Sequence, residues 1–259
     1  MNLNKILLRN WNHSMEELSP IFFILLPVVA FMYASVGHGG ASGYLALMAL
    51  FGVSTYLMRP TALMLNVLVS LIAFIQFYRL KIMKWDLFML LALTSIPAAY
   101  IGGQISTHPS LYKNILGLLL LIPAIQFAIP KKDNEQRAAK INIPLAMFLG
   151  GVIGFLSGLI GIGGGIILTP VLLMLRWTNI KQTAVISALF IAVNSIAGLA
   201  GIIQKGMVWD NNYWFLILLA FGGGMLGAWS GAFRMHNKWL KRILSIVLII
   251  ASLKLIMAK

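Results

Sequence analysis

The chain has 259 residues, of which 60% are hydrophobic and only 10% charged, and its mean hydropathy is +0.90. Ordinary soluble domains carry about 25% charged residues, so this composition excludes a soluble domain and specifies an integral membrane protein in a lipid bilayer. The net charge is +14, but the basic residues stand in short stretches between apolar runs, where they set topology and touch anionic headgroups; a nucleic-acid partner is not expected.

Residues 1–20 read as a short polar or interfacial extension. Leu7-Leu8 is too short for a signal-peptide core, and Trp11, Asn12 and His13 follow at once, so the extension is expected to be retained. Apolar segments then run over 21–36, 40–53, 60–78, 87–106 and 111–130. A polar linker at 131–142, carrying Lys131, Lys132, Asp133, Glu135, Arg137 and Lys140, separates them from further segments at 143–160, 164–175, 182–203, 212–232 and 243–257. The alternation that a membrane barrel needs is missing, so the fold class is all-α.

The two halves, 21–130 and 143–259, resemble each other. Gly37-x-Gly39-Gly40 aligns with Gly161-x-Gly163-Gly164 at an offset of 124. Lys81-x-Met83-x-Trp85-Asp86 aligns with Lys205-x-Met207-x-Trp209-Asp210 at the same offset. Arg59-x-Thr61-Ala62 aligns with Lys181-x-Thr183-Ala184 once two residues are inserted. We read a duplication within one transmembrane domain. If the two short segments of each half form one broken span, the repeats are parallel; if they form a hairpin, the repeats are inverted. The basic stretches at 79–84, 131–140 and 234–242 share one face only in the inverted arrangement, which the positive-inside rule favours. The expected architecture is therefore two inverted repeats, each with a glycine-broken short-helix hairpin and three spanning helices.

The glycine breaks point to a site. Helix starts expose unpaired N–H groups and the positive end of the helix dipole, which together cradle anions. Gly163, Gly164 and Gly165 begin one short helix, and Gly39 and Gly40 begin the other. Inverted repeats would bring these starts together at the midplane. Gly150, Gly154 and Gly158 recur every four residues and read as helix packing, as do Gly223, Gly227 and Gly231. His38, inside the first break, reads either as a donor to an anion or carrier of a coupled proton, or as a neutral histidine hydrogen-bonded to backbone. Thr183 and Thr61 serve as caps or as hydroxyl donors. Ser187, Asn194 and Ser195 lie on one long helix, and Asn66 and Ser70 on its counterpart, where interhelical bonds compete with ligand contacts. Arg59 and Lys181 read as side chains snorkelling to headgroups. Trp85-Asp86 and Trp209-Asp210 read as interfacial tryptophans followed by aspartate helix caps.

What is missing also narrows the function. No carboxylate pair stands at depth, there are no cysteines, and no Walker A, HExxH or G-x-S-x-G sequence occurs. Neither an enzyme, a metal site nor a cofactor is expected. Buried N–H groups and hydroxyls without acids suit an anion.

The stretch Gly158-Leu159-Ile160-Gly161-Ile162-Gly163-Gly164-Gly165-Ile166-Ile167-Leu168-Thr169-Pro170, followed by Gln182-Thr183-Ala184-Val185-Ile186-Ser187, resembles the sulfite exporter TauE/SafE family, also called the toluene sulfonate uptake permeases. The resemblance covers nearly the whole chain. It implies a transporter of sulfur-containing anions such as sulfite or sulfonates, in a bacterial inner membrane. The first half departs from the pattern: His38 interrupts its glycines, and Ala46 stands where the second half has Pro170. A passive anion channel and a non-transporting scaffold are the rival functions.

Overall fold

A computed structural model of the chain describes residues 19–35, 38–128, 139–206, 212–233 and 238–257. Among these residues there are ten helices and no strand. They are α1 (Pro20–Ala34), α2 (Ala41–Leu50), α3 (Thr55–Tyr78), α4 (Trp85–Gln104), α5 (Pro109–Ala128), α6 (Ile143–Ile160), α7 (Gly165–Met174), α8 (Ile180–Gln204), α9 (Asn212–Phe233) and α10 (Lys238–Met257). Four of them, α3, α4, α6 and α8, are long and apolar enough to cross a membrane unaided. Most of the N-terminal extension and of the polar linker, and Trp209-Asp210, lie outside the described residues.

Local signals account for the helix ends. Ser19 caps α1, with Pro20 and its missing N–H placed in the first turn. Asn142 caps α6 by accepting from Leu145 N. Asn179 and Gln182 form a reciprocal capping box at the start of α8. At α4 the cap differs from expectation. Lys84 holds the cap position and Asp86 falls in the first turn, where its charge still favours the helix dipole. The third segment also begins earlier than expected. α3 starts at Thr55 and holds Pro60 in its second turn, where the ring removes the bond that its N–H would have made to Tyr56 O.

Each pair of short segments folds back on itself. Phe22, at the start of α1, meets Phe51, just past α2, edge to face with centroids 5.5 Å apart. Ser42 Oγ donates to Tyr33 Oη at 2.6 Å, and Gly43 lies against Val29 and Tyr33. In the second pair, Ala139 N–H, just before α6, donates to Arg176 O, just after α7, at 2.9 Å. Both ends of each hairpin therefore lie at the same side of the bundle.

The rest of the packing interlaces the two halves. α4 lies along α6, and α9 lies along α1. α4 also touches α8 as α9 touches α3, and α10 touches α2 as α5 touches α7. α3 pairs with α8 and α5 with α10. Close backbone approach makes the two longest seams possible. A Cβ on Gly154 or Gly158 of α6 would run into the carbonyls of Ser95 and Ala99 on α4. A Cβ on Gly223 or Gly227 of α9 would do the same to Pro27 and Phe31 on α1. In lipid, where apolar side chains gain little by meeting each other, this contact and interhelical hydrogen bonds hold helices together. Ser245 and Ser252 of α10 supply two such bonds, to Ala124 O and Gly117 O of α5, each at 2.7 Å.

Candidate functional site

The site is built from the two places where the backbone leaves helical geometry. α6 ends at Gly161 with φ +88, and α7 begins after Gly164 with φ +76. α2 begins after Gly40 with φ +95. Gly40 and Gly164 are the aligned residues, and both cap a ten-residue helix in the left-handed conformation that favours glycine. The helix starts are therefore where the sequence places them.

The two breaks meet. Both press on Asn66, near the middle of α3, and on Ile191, near the middle of α8. A Cβ on Gly39 would lie 2.6 Å from Asn66 Oδ1 and 2.8 Å from Ile191 Cγ2. A Cβ on Gly163 would collide with Asn66 Nδ2 and again lie 2.8 Å from Ile191 Cγ2. Gly165 also abuts Ile191, whereas Gly164 faces Ile153 and Phe190, and Gly40 faces Tyr44. Asn66 ties the junction together. Its Oδ1 accepts from Ala41 N, in the first turn of α2, at 2.9 Å, and its Nδ2 lies 3.4 Å from Ser195 Oγ on α8. Asn66 and Ser195 are completely enclosed.

A second polar chain crosses between the halves. His38 Nε2 is 3.0 Å from Thr169 Oγ1 on α7, and that hydroxyl is 3.0 Å from Ser187 Oγ on α8. The tautomer of His38 decides which group donates. The imidazole is 5% exposed. His38 and Ser187 are thus brought together, through a threonine that we did not single out from the sequence. Its signal was present, since Thr169 stands four residues after Gly165 and shares its helix face. Asn194 is fully enclosed; its Nδ2 donates to Phe190 O at 2.8 Å and its Oδ1 has no hydrogen-bond partner. Thr183 stands apart from the breaks. Its hydroxyl donates to Asn179 O at 2.8 Å and is 2.7 Å from Thr178 Oγ1, at the start of α8.

Arg59 is not a snorkelling side chain. Its Nε donates to Gly158 O at 2.8 Å, and its two terminal nitrogens donate to Ile105 O at 2.8 Å and Gly102 O at 2.7 Å. The carbonyls at the ends of α4 and α6 are short of helical donors, and the planar guanidinium satisfies both helices at once. Its aligned residue, Lys181, is exposed. Among the described residues Asp86 is the one acid, and no group of three metal-ligating side chains occurs. The junction of the breaks is therefore enclosed, has no acid among the described residues, and is lined by amide, hydroxyl and imidazole groups, with the Arg59 stem beside Gly161.

The comparisons with known proteins agree with a transporter. A model of the family described as "Sulfite exporter TauE/SafE" matches residues 22–255. A "probable membrane transporter protein y4hK" of Sinorhizobium fredii is 39% identical over 236 residues, covering 88% of this chain and 94% of that one. A "probable membrane transporter protein" of Methanocaldococcus jannaschii is 26% identical, covering 74% of this chain and 79% of its own. A third, YunE of Bacillus subtilis, is 33% identical over 46% of this chain. No solved structure matches significantly.

Proposed function

This chain belongs to the sulfite exporter TauE/SafE family, and from that premise we propose that it is a secondary transporter of a small sulfur-containing anion such as sulfite or an organosulfonate. The observation that carries the proposal is the meeting of two glycine-broken helix starts around Asn66, midway along the two helices of 24 and 25 residues. Backbone N–H groups at Gly163, Gly164 and Gly165, and at Gly39 and Gly40, would receive the anionic head, because a helix start offers both free donors and a favourable dipole. Ser187 and Asn194 line the neighbouring stretch of α8, with Thr183 one turn further out. His38, bonded to Thr169, would donate to the anion or carry a coupled proton.

Alternating access would expose this junction to each side in turn. The two returning hairpins support the inverted reading of the repeats, 21–130 and 143–259, because a hairpin plus three crossings leaves the second half starting from the opposite face. The basic stretches near 79–84 and 176–181 then lie on the cytoplasmic side of a bacterial inner membrane.

The test is thermal stabilisation of the detergent-purified protein by sulfite, sulfate, thiosulfate, sulfoacetate, taurine, acetate and chloride, followed by flux into proteoliposomes. A ligand at a hundred times its Kd stabilises by about 2.7 kcal/mol. Selective stabilisation by a sulfur anion, with saturable flux and trans-stimulation, is the expected result. Equal effects of chloride and acetate, or flux that never saturates, would replace the carrier with a channel.

A further inference from the structure

We infer that Asn66 is a substrate-binding residue, whose carboxamide NH2 is held toward the second glycine break and donates to the bound anion. This rests on the reading of the chain as an anion transporter, and it deepens that reading by naming the side chain that reads the anion.

Which way an asparagine amide faces is fixed by its partners. Ala41 offers Asn66 an N–H at 2.9 Å, and only an oxygen can accept it. The amide oxygen therefore faces α2, and the NH2 faces the opposite way. There it meets Gly163, where any side chain would collide with it, and Ser195 Oγ at 3.4 Å. The NH2 carries two hydrogens, and its one hydrogen bond among the described residues is long. Asn66 is completely buried.

The same bond makes the two breaks unequal. The Ala41 N–H, in the first turn of α2, is already occupied by a neutral oxygen from within the protein. At the register that aligns Arg59 with Lys181, the residue matching Asn66 is Ala188, which carries no amide. Asn66 thus serves the start of α2 with its oxygen and turns its NH2 to the second break, where it joins the glycine amides as a donor to the anion head.

The experiment compares Asn66→Ala, Asn66→Asp and Ser195→Ala in the purified full chain, by thermal shift and equilibrium binding of sulfite, thiosulfate and sulfoacetate. Each variant is also melted without anion. Losing a hydrogen bond to a charged ligand predicts binding about ten- to a hundredfold weaker in Asn66→Ala. Asn66→Asp, which keeps the shape but puts an oxygen anion where the NH2 stood, abolishes binding. Ser195→Ala, which removes the protein's own partner of that NH2, binds close to wild type. The inference is overturned if Asn66→Ala binds as tightly as wild type, or if Ser195→Ala loses binding to the same degree, since both would make the contact an interhelical tie. If Asn66→Asp does not fold, the alanine pair decides. A wild-type protein that responds to no anion overturns the transport reading itself, and this inference with it.

Discussion

Arg59 shows how far a single side chain reaches in this protein. Three main-chain carbonyls from two other helices depend on it. Arg59→Met should lower stability by about 3 kcal/mol or more, since hydrogen bonds to charged groups contribute about 1.5–3 kcal/mol each. Arg59→Lys, with a point charge in place of a planar fork, should recover only part of that in a detergent melt. At Gly163 the expected effect is on both fold and ligand. Gly163→Ala must hold φ +71 with a Cβ driven into the Asn66 amide. It should melt lower, by an amount reflecting the roughly 1–2 kcal/mol of a left-handed non-glycine residue, and lose its anion-induced shift. The glycines stood out in the sequence because they are consecutive within an apolar run, and the structure packs them tightly against Asn66, Ile191, Ile153 and Phe190. Arg59 was misread because its partners are carbonyls, and a sequence records no carbonyl as distinct from any other. Thr169 was passed over for a similar reason: its role depends on what lies across from it.

At the level of the helix, the sequence placed the short segments well. Ala41–Leu50 and Gly165–Met174 hold matching places in the two halves and have equal lengths. The glycines alone do not decide whether each short helix continues its predecessor or turns back beside it, since glycine permits both; the placement of the basic residues is what favoured the hairpin. The turn is set by long-range contacts such as Phe22 with Phe51 and Ala139 with Arg176, which no local pattern encodes. The glycine seams give a sharper contrast. Gly158→Ala should separate α6 from α4 and reduce both expression and melting temperature, because its Cβ has no room beside the Ala99 backbone. Gly222→Ala on α9 meets nothing within 4 Å. It should be neutral or stabilising by about 0.5–1 kcal/mol, as alanine for glycine is within an open helix. Equal damage from both changes would mean that the α4–α6 seam is not close-packed.

For the whole molecule, the lack of native cysteines makes topology directly measurable. Single cysteines at Lys81 and Arg176 should react with an impermeant thiol reagent from one side of the membrane, and those at Lys113 and Lys205 from the other. Lys81 and Lys205 are aligned residues, so parallel repeats would label both from the same side. Interlacing adds another expectation. Because α4 rests on α6 and α9 on α1, residues 1–138 expressed alone should fail to accumulate and should be rescued by co-expression with the remainder. The seams also bear on the alternating access proposed above. A hairpin and the helix packed along it come from different halves of the chain, and under that proposal they would travel as one piece. The slip plane would then cut across the sequence, with α3, α8 and the two glycine corners at the pivot. A displacement that loosened one face of the bundle would, through the swapped helix, tighten the other, so that opening and closing would be two views of one stroke.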